Sequence, residues 1–331
     1  LSRVRRQRQM CIRDSRRSVR VSSSSGKDQL FVYFPSWVRL IQQNPIPVGR
    51  DHSPPPLASV AIANMKSRLN YSAAGERATP SLQQQAVDRF RQYGTLWLEN
   101  VLSPDYVNCL REAYADRYLS LSRRTLRKRH AVVGDKRFMI TVKIKPPFNS
   151  PALFANPIVL PIVQQLLGSD CTISSFGSVV AMSGAGPQSV HFDYPPLFES
   201  ESVCASLPPH AITLVVPLVD LNAETGSTAV WEGSHQRVGA REQLERLAKQ
   251  GSFEGATMPF TRVGDVYLMD FRLIHAGTAN QGALDRPILY IVYRRPWFRE
   301  DMNFHEQPAM QISPKQLGRI PKEHRYLFDP S

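Results

Sequence analysis

The spacing of apolar positions changes character once along the chain, near Ser169. Before that point it is helical. Leu82, Ala86, Val87 and Phe90 recur at three- and four-residue steps, which predicts an amphipathic helix from Ser81 to about Gly94. A short strand over Thr95 to Val101 follows it. Ser103 and Pro104 have the form of an N-cap and a first-turn proline, and Val107, Leu110, Tyr114 and Tyr118 supply the inward stripe of the helix they open. A third helix runs from Asn156-Pro157 to Gly168 on Ile158, Val159, Ile162, Val163 and Leu166.

Beyond Ser169 the texture is that of strands: Ile173 to Met182, Ala211 to Leu218, Thr228 to Trp231, Asp265 to Asp270 and Ile288 to Arg294. Turn signals separate them, among them Ser183-Gly184-Ala185-Gly186-Pro187 and Glu224-Thr225-Gly226. A run of strands after a helical prelude predicts a mainly β chain with flanking helices. Its core would be an antiparallel double-sheet jelly roll, a double-stranded β-helix, over about 170–298. The helical layer would cover about 81–168, and 299–331 would form a tail. There is no internal repeat, no GxGxxG and no phosphate-loop sequence.

Composition changes this picture mainly at the N-terminus. The net charge of +13 looks like a nucleic-acid signal, but residues 1–64 carry 11 Lys/Arg against 3 Asp, and the remaining 267 carry 30 against 25. The globular part is thus only modestly basic and lacks the interleaved aromatics of a nucleic-acid groove. The string Met10-Cys11-Ile12-Arg13-Asp14-Ser15 matches translation of a sequencing-library adapter, and this origin is favoured over an Arg- and Ser-rich transit peptide. We therefore expect residues 1–64 to be an adapter-derived, untranslated or disordered extension, with one domain over 65–331 starting at Met65.

Cys11, Cys109, Cys171 and Cys204 have neither CxxC nor zinc-type spacing, which predicts free, mostly buried thiols in a reducing, cytoplasmic setting. The longest apolar stretches are too short to span a bilayer, so no membrane anchor is expected. Oligomeric state leaves no sequence signal.

The candidate chemistry lies in His191-Phe192-Asp193, His275 and Arg286. Residues i and i+2 of a strand share a face, so His191 and Asp193 form a two-ligand claw while Phe192 points into the wall. A jelly roll brings remote strands side by side, so His275 is positioned to complete a set of two imidazoles and one carboxylate. Such a set holds one face of a ferrous ion and leaves positions for a chelating cosubstrate and dioxygen. Arg286 suits the distal carboxylate of a keto-diacid, because a guanidinium stays charged and forks onto carboxylate. His235, in Gly233-Ser234-His235, is the rival third ligand and reads better as a hydrogen-bonded structural residue. His210 and His305 read as surface or loop residues.

From Leu82 to Phe298 the chain resembles the phytanoyl-CoA dioxygenase family of iron(II)- and 2-oxoglutarate-dependent oxygenases. The resemblance rests on Gly184-Ala185-Gly186-Pro187-Gln188-Ser189-Val190-His191-Phe192-Asp193, Leu218-Val219-Asp220 with Gly226, and Gly233-Ser234-His235. It continues in Gly264-Asp265-Val266, His275-Ala276-Gly277-Thr278-Ala279-Asn280 and Arg286-Pro287. It implies His191, Asp193 and His275 as catalytic iron ligands, Arg286 as partner of the 2-oxoglutarate C5 carboxylate, and O2 as co-reactant. Two positions depart from the pattern: Glu232 stands where members often have Pro, and Gly277 where they often have a hydroxyl. Thr278 or Thr213 is the candidate source of that hydroxyl, and Arg294 and Arg295 are rivals to Arg286.

The carboxylate of Asp193 also separates the chain from halogenases of this kind, which have a small residue there, and so points to hydroxylation. The implied activity is hydroxylation of an unactivated C-H bond in a small organic acid, acyl-CoA or secondary metabolite, with release of succinate and CO2. The alternatives are a cupin-like isomerase or lyase without 2-oxoglutarate, and an inactive binding relative. For the substrate, the basic run Arg123 to His130 reads as a solvated helix end more than as a CoA-phosphate site. Lys143 and Lys145 share one side of a strand-like segment, Ile140 to Lys145, and Tyr194 to Phe198 are candidates for an apolar wall.

Overall fold

Helix starts follow the capping chemistry of the sequence. Thr79 and Ser103 accept hydrogen bonds from the backbone N-H of Leu82 and Tyr106, opening α1 (Pro80–Tyr93) and α2 (Pro104–Tyr114) on prolines that need no donor there. α1 stops at Gly94, whose left-handed backbone (φ 71°) caps the helix through its N-H to Phe90 O. α2 runs on into a π-helical turn, Ala115–Leu119, which keeps Tyr118 on the buried side. Then come α3 (Arg123–Arg129), α4 (Pro151–Phe154), α5 (Val159–Leu167), α6 (Glu201–Ser206) and α7 (Ala240–Gln250). The computed structural model describes residues 66–71, 79–301, 303–304 and 307–329. The expected N-terminal extension, Cys11 and His305 lie outside the described residues.

Ten strands are described: β1 (Arg68–Asn70), β2 (Thr95–Glu99), β3 (Ala131–Val132), β4 (Arg137–Thr141), β5 (Thr172–Ala181), β6 (Ala211–Pro217), β7 (Thr228–Val230), β8 (Val266–Asp270), β9 (His275–Gly277) and β10 (Arg286–Arg294). The main sheet has the order β1-β2-β8-β6-β10-β5-β4-β3 and is antiparallel except for the β1-β2 pair. β7 and β9 pair separately, and single bridges at His191-His275 and Val230-Thr257 widen that smaller sheet. From β5 onward the chain alternates between the sheets: β5, His191, β6, β7, β8, β9, β10. That alternation is the winding of a double-stranded β-helix, and it brings His191 and His275 side by side.

Both faces of the main sheet are covered. Every residue of β6 is buried, so it reads as a continuous apolar run instead of an alternation. On the outer face, Leu214, Leu268, Leu289, Ile291 and Tyr293 join one cluster with Val87 and Phe90 of α1, Leu110 of α2 and Ile162 and Val163 of α5. The inner face carries two smaller clusters, one with Trp97, Val215, Tyr267 and Met269, the other with Ala211, Phe271, Tyr290 and Val292. Thr213 lies where they adjoin, opposite Val292 on one side and Met269 on the other.

Some expectations are corrected. The segment expected as a strand over Ile140 to Lys145 starts earlier, at Arg137, and Lys143 makes a single bridge to Gln311; Lys143 and Lys145 are both exposed. Cys109 is exposed and only Cys171 is buried among the described cysteines. His210 is buried at 2% exposure against the Phe298 ring, with centroids 4.5 Å apart, and burial pulls its pKa down to about 4. The run Arg123 to Arg129 is a short helix held by buried Leu126, its basic side chains in solvent. No helix among the described residues is long and apolar enough to cross a membrane.

Candidate active site

His191 and His275 are directly opposed. Each backbone N-H donates to the other's carbonyl at 3.0 Å, and the rings lie 4.3 Å apart between centroids. Asp193 projects from the same side as His191, and its Oδ1 lies 3.4 Å from His275 Nε2. One ligand-type atom from each of the three residues falls within 4.8 Å of the other two, a cluster with the size and donor set of a metal site.

The remaining polar atom of each residue is fixed by the protein. His191 Nδ1 is 2.8 Å from Ser189 O and His275 Nδ1 is 3.0 Å from Leu273 O, so each Nδ1 carries its proton and donates it. Each Nε2 therefore faces the cluster, and Asp193, against the effect of burial, raises the His275 ring above its ordinary value. The Thr213 hydroxyl donates to Asp193 Oδ2 at 3.0 Å, leaving Oδ1 toward the histidines. Outer contacts of this kind orient ligands for a metal. Burial acts to raise the Asp193 carboxyl, but His275, His191 and Thr213 outweigh it and hold the group below its ordinary value. Burial and the neighbouring His275 take His191 down to about 4, so its ring is neutral at pH 7.

The backbone carbonyl of Asp193 accepts from Asn303 Nδ2 at 2.8 Å, and the same amide donates to Glu300 Oε1 at 2.7 Å. Tyr194, the next residue, donates to Asp301 at 2.6 Å and packs its ring against Phe298. Tyr194 and Leu197 thus join the inner apolar cluster, while Phe198 is 52% exposed.

Arg286 opens β10 and is 4% exposed. Its Nη1 donates to Thr225 O at 3.0 Å and its Nη2 to Thr278 O at 3.2 Å. Gly226 makes room for it, since a Cβ there would overlap Arg286 Nη1 and Ala279 O. Among the described residues no carboxylate pairs with Arg286. Burial brings its pKa down to about 10, so it remains a cation in a dry setting whose hydrogen-bond acceptors are neutral carbonyls. Such a group is costly until an anion joins it.

The two candidate helper hydroxyls have partners of their own. Thr213 lies opposite Val292, six residues along β10 from Arg286, about 20 Å at the rise of a strand. Its hydroxyl serves Asp193. The Thr278 hydroxyl accepts from Ser227 N at 2.7 Å and donates to Ser227 O at 3.0 Å, so Thr278 meets Arg286 through its carbonyl. The rival arginines are committed elsewhere: Arg294 donates to Phe298 O, and Arg295 to Pro209 O and Leu166 O. His235 is buried with Nε2 3.0 Å from Arg91 O and lies outside the cluster.

Three residues near the site carry no role in the sequence pattern alone: Arg137, Gln188 and Asn303. Gln188 Oε1 accepts from Gly277 N at 3.0 Å, and Gly277 O accepts from Gln188 N at 2.8 Å, which fixes the loop before His191 against β9. Arg137 is a charge at the head of the apolar strand β4, the one signal the sequence offers for it.

A family model described as phytanoyl-CoA dioxygenase matches residues 90–288, more than half of the chain, and takes in His191, Asp193, His275 and Arg286. The chain belongs to the phytanoyl-CoA dioxygenase family. Among solved structures, HygX from Streptomyces hygroscopicus with nickel and 2-oxoglutarate bound is similar over 67% of this chain and 92% of that one. The identity is 17% and the TM-score 0.48. HygX with nickel, 2-oxoglutarate and hygromycin B bound gives the same identity and coverage at a TM-score of 0.49. The non-heme alpha ketoglutarate dependent epimerase SnoN from nogalamycin biosynthesis covers 66% of this chain and 82% of its own, at 19% identity and a TM-score of 0.44. In this phytanoyl-CoA dioxygenase family member, the segments around His191 and His275 meet at the cluster through a single antiparallel bridge between those two residues.

Proposed function

We propose that this protein is an iron(II)- and 2-oxoglutarate-dependent dioxygenase that hydroxylates an unactivated C-H bond of a small organic molecule, with release of succinate and CO2. The observation that carries this reading is the convergence of His191, Asp193 and His275, each with its other polar atom tied down, in a chain whose buried Arg286 has no carboxylate partner among the described residues. The donor set fits a ferrous ion, and the uncompensated guanidinium fits the distal carboxylate of 2-oxoglutarate. When bound, iron, 2-oxoglutarate and dioxygen together supply the oxidising power that C-H hydroxylation needs.

The chain's own residues do the placing. His191 and His275 turn their Nε2 atoms to the cluster because Ser189 and Leu273 carbonyls hold the Nδ1 protons. His191 is neutral, while the adjacent Asp193 holds the His275 ring above its ordinary value, so a proton would leave His275 as metal binds. Asp193 keeps its charge, and Thr213 fixes its rotamer. Arg286 orients the cosubstrate, and the apolar wall that includes Tyr194, Leu197, Tyr290 and Val292 keeps water from the side on which a substrate enters.

Anaerobic titration of iron(II) and 2-oxoglutarate into the purified protein tests this. A weak visible charge-transfer band from the metal chelate is expected, absent in Asp193→Ala, followed by substrate-dependent succinate release in air. Iron binding without the band overturns the cosubstrate assignment.

A further inference from the structure

Beyond Asp193 the inner face of the main sheet turns polar. Thr213 of β6, Val292 of β10 and Ser175 of β5 are paired in line across three neighbouring strands, so they share that face. Thr213 holds the Asp193 carboxylate at one end of the row, and Ser175 stands at the other, two strand spacings or roughly 10 Å away. The register of β5 slips here. Val292 pairs with Ser175 and Tyr293 with Ile173, so Ser174 is the extra residue of a β-bulge. Bulges re-aim side chains, and the Ser174 hydroxyl donates to Glu300 Oε2 at 3.4 Å. Asn303 Nδ2 donates both to Glu300 Oε1 and to the Asp193 carbonyl, which ties that carboxyl to the metal claw.

Three groups in this corner lack the partner their chemistry calls for. Ser175 is fully buried, and its hydroxyl has no hydrogen-bond partner among the described residues. The Tyr290 hydroxyl, on a residue 8% exposed, is unpartnered in the same sense. Its ring lies across β5, since a Cβ at Gly177 would overlap the hydroxyl and Ile140 O, and the oxygen therefore stands one strand repeat from Ser175. Glu300 is half-buried, and no Lys, Arg or His pairs with it among the described residues. Arg294, further along β10, gives its Nη1 to Pro296 O and Phe298 O. The acidic groups act on one another: behind burial, Glu300 and then Asp193 raise the Tyr290 phenol, and Asp193 adds to burial in raising Glu300. A carboxyl taken from water beside a second carboxylate is costly until a cation joins it. The neighbouring walls are Val292 and the rings of Tyr194 and Phe298, packed edge to face at 5.0 Å. Aromatic rings suit an ammonium as well as the hydrocarbon that carries it. The way in lies past Asp193, whose side chain is 24% exposed.

We infer that this corner is a recognition subsite for the substrate and takes an ammonium group carried on an apolar body, with Glu300 pairing the charge and the Tyr290 hydroxyl accepting an N-H. This rests on the dioxygenase reading above and adds a substrate class to it. An ammonium has three donors to place, and Glu300, Tyr290 and Ser175 offer an acceptor for each. The row of roughly 10 Å from Thr213 to Ser175 sets the carbon presented to the metal several bonds from the nitrogen. A carboxylate in the same place would meet Glu300 and Asp193 as like charges, so the corner selects an amine over a free acid.

The test compares three probes of one shape, n-butylammonium, n-butanol and butyrate, at pH 8, where Glu300 is ionised. They are titrated into the full-length protein loaded with manganese(II) and 2-oxoglutarate, and dissociation constants are read from the paramagnetic relaxation of the probe protons, which reports ligands near the metal. In wild type n-butylammonium is expected to bind about tenfold or more tightly than the other two. Glu300→Gln is expected to weaken it by about tenfold to hundredfold, the range for a hydrogen bond to a charged group, with n-butanol unchanged. A purely structural role would lower the melting temperature and leave the ratio of ammonium to alcohol affinity alone. Equal binding of the three probes, relaxation of none, or an unchanged ratio in Glu300→Gln overturns the inference while leaving the cosubstrate in place. A wild type that forms no iron(II) and 2-oxoglutarate chelate band overturns the dioxygenase reading itself. Where Glu300→Gln fails to fold, Tyr290→Phe removes a single oxygen; it is expected to lower the preference for n-butylammonium severalfold, and an unchanged preference counts against the subsite.

Discussion

His191 and His275 hold each other through both backbone hydrogen bonds, so the two imidazoles of the candidate metal site are fixed by sheet geometry before any ion arrives. Asp193 does not belong to that pair. It is held by Thr213 through its side chain and by Asn303 through its carbonyl. The site therefore divides into a rigid half and a tethered half, and variants of the two should behave differently.

The tether gives the first prediction. Thr213→Val keeps shape and removes the hydrogen bond to Asp193 Oδ2, freeing the carboxylate to rotate. Loss of an outer partner of this kind typically costs roughly 10–100-fold in metal affinity. Cobalt(II) titration followed by its visible spectrum should find that loss in Thr213→Val, and Asp193→Ala should bind more weakly still. Equal affinity in wild type and Thr213→Val would show that the bond does not orient the ligand.

Gly226 carries the second. Its φ of 78° favours glycine, and a Cβ there would overlap Arg286 Nη1, Thr278 Oγ1 and Ala279 O. Gly226→Ala should displace the guanidinium while leaving the claw intact. The expected result is a 2-oxoglutarate requirement raised by roughly tenfold or more, corresponding to about 1.4 kcal/mol, with cobalt(II) affinity little changed. A parallel fall in both would mean that the substitution disturbs β9 and the metal half as well.

Much of this site was legible in the sequence because strand geometry is so simple. The i, i+2 rule alone puts His191 and Asp193 on one face, and a charge at the head of an apolar strand marks Arg286. What the sequence does not carry is register. Nothing within Lys136-Arg137-Phe138 says that Arg137 lies beside the same alanine as Arg286, because that depends on pairings of β4 and β10 with β5. The same gap explains the threonines. Sequence alone offers Thr213 and Thr278 as hydroxyls to assist Arg286; in the fold Thr213 falls opposite Val292 and donates to Asp193, and the Thr278 hydroxyl bonds to Ser227. His210 reads from the sequence as a surface or loop residue, yet in the fold Phe271 and Phe298 close over its ring.

His235 separates structural from ligating histidines. Its ring lies over Gly94 at the end of α1, where a Cβ would overlap it, and its Nε2 meets Arg91 O at 3.0 Å. His235→Ala removes a buried hydrogen bond and opens a cavity, each a named route to a loss of about 1–3 kcal/mol. Thermal unfolding should move down by several degrees while cobalt(II) affinity stays at the wild-type value. A large loss of metal binding would return His235 to candidacy as a ligand.

Glu300 supplies a pH dependence of stability. It lies behind the site, accepting from Asn303 and Ser174, and burial first, with the negative Asp193 adding to it, raises its carboxyl from 4.5 to about 7. In the unfolded chain the group ionises near its ordinary value. Between pH 4.5 and about 7 the folded protein therefore holds more protons than the unfolded one, so this contribution is fully present below pH 4.5 and is lost as pH rises through about 7. Glu300→Gln keeps an oxygen for the Asn303 amide and cannot ionise. Melting temperatures of the metal-free proteins should accordingly diverge with pH: at pH 8 the variant stands higher relative to wild type than it does at pH 4.5. A constant difference across that range would mean that Glu300 keeps an ordinary carboxyl in the folded state, and that the Asn303 contact to the Asp193 carbonyl is not coupled to a proton.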